Sequence, residues 1–177
     1  MPTNLELKAR IHSIDATCQR AQEHGAILAE AMDQVDTYFK TFAGRLKLRV
    51  INGNHAELIG YEREEAHDER VSAYEKTLVS EPVGFCGILE RAFGIRVVVS
   101  KHRVLYWYKG ARIHVDRVLN LGTFIEFEVP AVGNVDPEEL MHELRAMFDI
   151  QPEDIVRVSY SDMLLDGKTP DEGRDAT

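Results

Sequence analysis

The chain has 177 residues, of which 44% are hydrophobic and 29% are charged, and this fits one globular domain with a substantial core. A formal net charge of −9 at pH 7 argues against non-specific binding to nucleic acid or to anionic membranes. We expect no signal peptide, because the first residues lack its pattern, and no apolar run approaches the ~18 residues needed to span a bilayer. The two cysteines lack metal-binding spacing. We therefore expect a reduced, cytoplasmic protein without nucleic-acid or membrane partners.

The first half of the chain predicts strands joined by turns, with one helix after the first strand. Strict alternation of apolar and polar residues over 4–11 predicts a β-strand with one face of each kind. Capping residues and an apolar stripe predict a helix over 13–25. Asn52-Gly53-Asn54 is typical of a hairpin turn. The further strands predicted in this half are 35–42, 45–51, 57–64 and 72–77, with a polar loop over 65–70.

The pattern in the second half of the sequence predicts longer strands between two helices. The helices are expected over 82–93, which Gly94 ends, and from 136 or 137 to 148. The strands are expected over 95–108, 112–118 and 123–129, followed by a short segment at 155–165. Successive antiparallel strands with three helices predict an α+β fold dominated by one large sheet or barrel.

The polar faces of these strands carry charges, with cations on the middle strands and acids on the first and last. The side chains concerned are Glu6, Lys8, Arg10, Arg45, Lys47, Arg49, Arg63, Lys101, Arg103, Arg112, Asp116, Glu126 and Glu128. A sheet with one face in water would explain any single strand of this kind. Across six strands, and with helices that need the apolar faces for packing, the pattern favours a charged face turned inward.

An inward charged face predicts a polyanionic ligand, because buried like charges repel one another unless a counter-charge neutralises them. Lysine offers phosphate a point charge and arginine a bidentate fork. The carboxylates of Glu6, Glu126 and Glu128 are hard oxygen ligands that suit Mg²⁺ or Mn²⁺. Together these groups predict a metal–polyphosphate complex, and therefore phosphoryl or nucleotidyl transfer.

Several motifs resemble, in their order and spacing, those of a known family. Asn4-Leu5-Glu6-Leu7-Lys8 resembles the Glu-x-Glu-x-Lys signature of that family. The other matching segments are Asp36-Thr37-Tyr38-Phe39, residues 44–49, Tyr61-Glu62-Arg63, Lys101-His102-Arg103 and, as the most specific, residues 112–128. Over nearly the whole chain, from residue 4 to about 165, the sequence resembles the CYTH superfamily, also called triphosphate tunnel metalloenzymes, and within it the class IV adenylate cyclase branch.

The resemblance implies a closed eight-stranded antiparallel β-barrel, a triphosphate tunnel with helices packed outside, over residues 1–165, with a flexible tail at 166–177. It implies ATP or another organic triphosphate as substrate and Mg²⁺ or Mn²⁺ as cofactor, and it allows a homodimer. In cyclase-like members the ribose 3′-hydroxyl attacks the α-phosphorus and pyrophosphate leaves. We favour a class IV adenylate cyclase that forms cyclic AMP. A thiamine or inorganic triphosphatase and a non-catalytic polyphosphate or nucleotide sensor are the alternatives.

The same resemblance implies roles for individual residues. Triphosphate binding would fall to Lys8, Lys47, Arg49, Arg63, Lys101, Arg103 and Arg112. Metal binding would fall to Glu6, Glu126 and Glu128. Asp116 is implied as a further metal ligand or proton acceptor, so that the catalytic set is Lys8, Arg63 and Asp116.

Three features of the sequence leave alternatives open. Asn4 stands where the family signature has its first Glu, and we expect this to weaken one metal position or to shift the chemistry away from water activation. His114 shares a face with Arg112 and Asp116, where a hydrogen-bonded structural histidine is favoured over a proton-transfer group. The aromatic run 106–108 either stacks a nucleobase at the tunnel mouth or packs the barrel.

Overall fold

The structure, a computed structural model, describes residues 3–63, 70–131 and 135–167, without the side chains of residues 3, 62, 63 and 70–73. The strands are β1 (Thr3–Arg10), β2 (Ile27–Phe39), β3 (Arg45–Ile51), β4 (His55–Arg63), β5 (Arg70–Leu78), β6 (Ile95–Tyr108), β7 (Ala111–Val118) and β8 (Gly122–Pro130). The helices are α1 (Ile14–Glu23), α2 (Pro82–Phe93), α3 (Pro137–Met147) and α4 (Tyr160–Asp166), with a 3-10 turn at Pro152–Asp154. Among the described residues, none of the helices has the length and apolar character needed to cross a membrane.

All eight strands belong to one curled antiparallel sheet, and this confirms the predicted α+β class. The order of pairing is β1-β5-β4-β3-β2-β6-β7-β8, and β1 pairs with both β5 and β8. The β1–β5 ladder is short and runs from Thr3 opposite Ala73 to Glu6 opposite Arg70. The remainder of β5 is paired along β4. Most of the predicted loop at 65–70 and most of the tail predicted from 166 lie outside the described residues.

The second strand is longer than the sequence predicts. The prediction of 35–42 was wrong at both ends, since β2 begins at Ile27 and ends at Phe39. A register shift between Leu28 and Glu30 interrupts the alternation near its start. The early part of β2 is also rich in Ala, Glu and Met, which are better helix formers than strand formers. Its pairing with β6 overrides this local preference.

Most of the hydrophobic core lies outside the sheet, between its convex face and α1, α2 and α3, and a smaller buried cluster that includes Phe124 lies inside it. Phe127 of β8 and Leu7 of β1 are buried against Leu140 and Leu144 of α3, and on another side Leu89 of α2 packs over β2 and β3. Complete burial of one such side chain contributes roughly 1.5–3 kcal/mol. Because successive strand residues point to opposite faces, this outer packing turns the charged residues inward, as the sequence predicts.

The fourth helix does not follow the prediction that helices pack outside the sheet. Tyr160 at the start of α4 contacts the interior residue Phe124, with 4.9 Å between ring centroids. Ser159 caps the helix by accepting a hydrogen bond from the Asp162 amide. Arg45 Nη2, at the same end of the sheet, lies 2.8 Å from Asp162 Oδ2. These contacts hold α4 over one end of the interior, a long-range arrangement that a seven-residue segment does not reveal in sequence.

Candidate triphosphate and metal site

The inner face of the sheet surrounds a cavity of about 390 Å³ whose wall carries charges of both signs. Nine of the predicted site residues belong to this wall, namely Glu6, Lys8, Lys47, Arg49, Lys101, Arg103, Arg112, Glu126 and Glu128. They come from β1, β3, β6, β7 and β8, so the curvature of the sheet brings together residues that are distant in sequence. The side chain of Arg63, also predicted here, lies outside the described part of the chain.

One carboxylate holds three of the predicted cations together. Asp36 Oδ1 lies 2.7 Å from Arg49 Nε, and Asp36 Oδ2 lies 3.1 Å from Lys47 Nζ and 3.9 Å from Lys101 Nζ. Burial alone would raise the pKa of Asp36, but these three cations outweigh it and hold that pKa well below its usual value. The motif Asp36-Thr37-Tyr38-Phe39 predicts no role for Asp36. Its position directly opposite Arg49 depends on the β2–β3 register, which the sequence does not give.

A second buried network is centred on Arg103. Its Nε donates to Asp116 Oδ1 at 2.7 Å, and its Nη2 donates both to Asp116 Oδ2 at 2.7 Å and to Glu126 Oε2 at 2.9 Å. The Tyr160 hydroxyl donates a further hydrogen bond to Asp116 Oδ2 at 3.0 Å. Asp116 is fully buried and stands behind Arg103 instead of at the cavity wall. This arrangement orients the guanidinium toward the cavity.

The two wall lysines have different surroundings. Lys8 Nζ lies 3.6 Å from Glu126 Oε1 and 4.2 Å from the centre of the Tyr160 ring. Lys101 is buried close to Arg103, and these two effects lower the pKa of Lys101 to about 7 although Asp36 opposes the shift. Near neutral pH, Lys101 is therefore poised to gain or lose a proton, and an arriving anion would favour its charged form.

A nitrogen and two carboxylates form a candidate metal site on β7 and β8. Ligand atoms of His114, Glu126 and Glu128 all lie within 4.8 Å of one another. His114 Nδ1 is buried and forms no hydrogen bond with any described residue, and it lies 3.6 Å from Glu128 Oε1 and 3.8 Å from Glu126 Oε2. Such an orphaned nitrogen beside two carboxylates fits a divalent cation.

Cations beside this candidate metal site keep its carboxylates ionised. Burial alone would raise the pKa of Glu126, but nearby positive charges, Lys8 foremost, hold that pKa well below its usual value. Burial alone would also raise the pKa of Glu128, but His114 and then Arg112, which contacts Glu128 directly, lower that pKa. Ionised carboxylates are the form that binds a metal.

The predicted metal ligand Glu6 lies beside this set. Glu6 is the register partner of Glu128, and its side chain lines the same cavity. Asn4, two residues before Glu6 on β1, is buried at the cavity wall and is the register partner of Pro130 on β8. The sequence favours a structural role for His114 over proton transfer. The β7–β8 register, which alternation alone does not give, places His114 opposite Glu126.

The fold and this cavity are those of a protein that holds a polyphosphate, and a comparison of the sequence with models of known families identifies the family. The profile of the CYTH domain matches residues 2–160, so the chain belongs to the CYTH family of triphosphate tunnel proteins. Enzymes of this family act on triphosphates and depend on metal ions. A comparison with curated protein sequences gives no match.

Solved structures with the same fold include three proteins of low sequence identity. The PH1012 protein from Pyrococcus horikoshii is similar with a TM-score of 0.79 and 22% identity, covering 90% of this chain and 98% of that one. A Vibrio parahaemolyticus protein, provisionally assigned as an adenylate cyclase, gives 0.71 and 20% over 92% and 97%. A provisionally assigned adenylyl cyclase from Hippeastrum, with a dominant triphosphatase activity, gives 0.67 and 14% over 97% and 98%. At these identities the likeness establishes the fold alone.

Proposed function

We propose that this CYTH chain is a metal-dependent class IV adenylate cyclase, which converts ATP to cyclic AMP and pyrophosphate inside a closed barrel formed by residues 1–165. The resemblance of the motifs to the class IV adenylate cyclase branch supports ATP cyclisation, and one structural observation supports the metal–triphosphate complex that this reaction needs. A single cavity joins a large set of buried cations to a His114, Glu126 and Glu128 cluster that fits a divalent metal. Neither half alone would specify a metal–triphosphate complex.

The cations bind the phosphates in this proposal. Within the part of the chain that the structure describes, Asp36 is the carboxylate in ion-pair contact with all three of Lys47, Arg49 and Lys101, so this group carries an excess of positive charge. A triphosphate placed beside them gains charge-assisted hydrogen bonds in a region that water reaches poorly. Lys8 and Arg103 lie beside Glu126 and would contact phosphate oxygens close to the metal. Arg112 and Arg63 complete the proposed triphosphate-binding set.

The metal, Mg²⁺ or Mn²⁺, would be held by Glu126 and Glu128, with His114 as a nitrogen ligand and Glu6 within the same cavity. When bound, such an ion neutralises phosphate charge and lowers the pKa of an oxygen nucleophile. A nitrogen donor favours Mn²⁺ over Mg²⁺, which prefers an all-oxygen set.

In the proposed reaction the ribose 3′-hydroxyl gives its proton to solvent water, its oxygen bonds to the α-phosphorus, and the bond from that phosphorus to the pyrophosphate oxygen breaks. Arg103 and Lys8 stabilise the negative charge that develops on the phosphate oxygens. Asp116 acts in this scheme as a positioning residue, because its carboxylate is occupied by Arg103 and Tyr160. This assigns Asp116 to orientation instead of proton transfer.

A triphosphatase is the second candidate, because the same wall could equally hold a triphosphate whose terminal phosphorus is attacked by water. The observation that favours it is the dominant triphosphatase activity of the Hippeastrum protein, which shares the fold over 97% of this chain. The substrate would then be thiamine triphosphate or inorganic tripolyphosphate.

Product analysis tests the proposal. The purified chain is incubated with ATP, thiamine triphosphate or tripolyphosphate, each with Mg²⁺ or Mn²⁺, and we expect cyclic AMP and pyrophosphate from ATP. Phosphate release without cyclic AMP would favour the triphosphatase, and binding without turnover would favour a non-catalytic sensor. Lys101→Met should abolish turnover. Lys109→Met is the matched control, because Lys109 pairs with Glu143 away from the cavity.

A further inference from the structure

The cavity has one end covered by α4 and an opposite end with exposed side chains. At the covered end, Tyr160 and Phe124 are buried against each other. At the opposite end, where β2 and β7 begin and β6 finishes, Ile27 and Trp107 are 71% and 43% exposed. A substrate that reaches the cavity from this exposed end inserts its phosphates first and keeps its organic group near the rim.

Trp107 occupies this rim on the same face as the cavity-lining residues. Lys101, Arg103 and Leu105 line the cavity, and Trp107 is the next residue of β6 on that face. Its register partners agree, because Trp107 lies opposite Arg112, which lines the cavity. The exposed Ile27 lies opposite Trp107 on its other side.

The two aromatic neighbours of Trp107 are already occupied elsewhere. Tyr106 is buried in the outer core and accepts a hydrogen bond from Gln22. The Tyr108 hydroxyl donates to Glu143 Oε1 of α3 at 2.6 Å. Of the three aromatic residues in this run, Trp107 is therefore the one whose ring lies at the rim. A large indole left half-exposed beside an arginine is suited to stacking against a flat, electron-rich ring.

We propose that Trp107 is the stacking platform for the aromatic ring of the organic group of the triphosphate, and that it gives this site its preference for nucleotides over inorganic tripolyphosphate. The inference rests on the proposed function, since it assumes that phosphates occupy the cavity. The spacing agrees with it, because Trp107 is directly opposite Arg112, and His114 of the metal cluster follows Arg112 by two residues, about 7 Å along the strand. A sugar between phosphate and base spans a distance of this order.

The fluorescence of the protein tests this directly, because Trp107 is its only tryptophan. ATP and tripolyphosphate are each mixed with the protein and Mg²⁺ in a stopped-flow instrument, and emission is read before turnover. Free N-acetyltryptophanamide titrated with ATP corrects for absorption by the base. We expect ATP to quench the emission and tripolyphosphate to leave it nearly unchanged. Quenching by neither ligand, when calorimetry shows that both bind, would overturn the proposal.

A variant pair gives a second measurement. The ratio of ATP affinity to tripolyphosphate affinity should fall on the order of tenfold in Trp107→Leu and much less in Trp107→Phe, which retains a ring. Tyr108→Phe is the matched control, with an unchanged ratio. An unchanged ratio in Trp107→Leu overturns the inference about the platform.

Two further results would have meanings different from failure of the stacking contact alone. If neither ATP nor tripolyphosphate binds, the proposed triphosphate function fails, whatever the role of Trp107. If the exposed rim instead binds a second copy of the chain, the emission of Trp107 will shift with protein concentration in the absence of ligand, and this too overturns the platform.

Discussion

Arg103 and Asp116 form a two-point ion pair in which Nε and Nη2 of the arginine each lie 2.7 Å from a different carboxylate oxygen. The pair is buried, and Arg103 also reaches Glu126 at 2.9 Å. Because the carboxylate fixes the plane of the guanidinium, the remaining donor directions are set before a ligand arrives. The pair therefore links stability of the fold to the orientation of a phosphate-binding group.

Substituting Asp116 should destabilise the protein strongly. Asp116→Asn removes the charge that compensates the buried Arg103, and we expect a loss of about 3 kcal/mol, at the lower end of the range for a broken buried pair because Glu126 remains as a partner. Urea unfolding measures this. Glu143→Gln, which breaks the exposed pair with Lys109, is the control and should change stability far less. Equal effects of the two substitutions would refute the structural role of Asp116.

Asp36→Asn should lower the thermal stability of the ligand-free protein and raise its affinity for anions. Without this carboxylate, Lys47 and Arg49 lose their shared counter-charge and Lys101 loses a group that favours its charged form, so the melting temperature without ligand should fall by roughly 10 °C. Lys47 and Arg49 become available to phosphate, which also favours the return of the Lys101 proton, so tripolyphosphate should bind at least tenfold more tightly. Thermal unfolding with and without tripolyphosphate measures both effects.

A control for Asp36 lies on the same strand. Asp33 points to the outer side of β2, where its carboxylate lies 2.8 Å from His102 Nδ1 in an exposed contact. Asp33→Asn should leave both the melting temperature and the ligand-induced increase close to those of the parent. Weaker tripolyphosphate binding by Asp36→Asn would contradict the view that Asp36 competes with the ligand for the cations.

The alternation of residues predicts much of this architecture because a strand has no other way to orient its side chains. Leu7 and Lys8 point to opposite sides of β1, and one is in the outer core while the other is at the cavity wall. Helices α1 and α3 follow from side-chain caps and apolar stripes, and α2 follows from Pro82 at its start, its apolar stripe and Gly94 at its end, all of which are equally local. Local patterns thus fix which face of each strand is charged.

What local patterns leave undetermined is which charged residues meet. The pairing of Asp36 with Arg49, and of His114 with Glu126, depends on strand register across neighbours. The position of α4 depends on contacts of Tyr160 with residues more than forty positions away, such as Asp116. An alternating sequence is compatible with several registers, so these relationships emerge only from the three-dimensional fold.

Lys101 should make ligand binding depend on pH. Its pKa is lowered from the usual 10.5 to about 7, mainly by burial and then by Arg103. Above about pH 7 the free protein has lost this proton, and a bound triphosphate favours its return. Binding at pH 8.5 should therefore take up a proton, which calorimetry detects as a binding enthalpy that changes with the ionisation enthalpy of the buffer.

The lowered pKa of Lys101 should also make the stability of the fold depend on pH. Between about pH 7 and 10.5 the unfolded chain binds the Lys101 proton and the folded chain does not, so the contribution of this group to stability increases with pH across that window. Lys101→Arg keeps its charge throughout and should lose both the proton uptake and this pH dependence. Proton uptake that is identical in Lys101→Arg and the parent would rule Lys101 out as its source.

His114 should determine which metal the protein prefers. In His114→Gln the candidate site loses its nitrogen donor, and we expect the affinity for Mn²⁺ to fall on the order of tenfold or more, while that for Mg²⁺ changes less because Mg²⁺ gains little from nitrogen. Electron paramagnetic resonance of free Mn²⁺ measures the first affinity, and competition by Mg²⁺ measures the second. His102→Gln, on the outer side of β6 beside Asp33, is the matched control. If His114→Gln and His102→Gln bind Mn²⁺ equally well, His114 is not a ligand and its buried nitrogen serves another purpose.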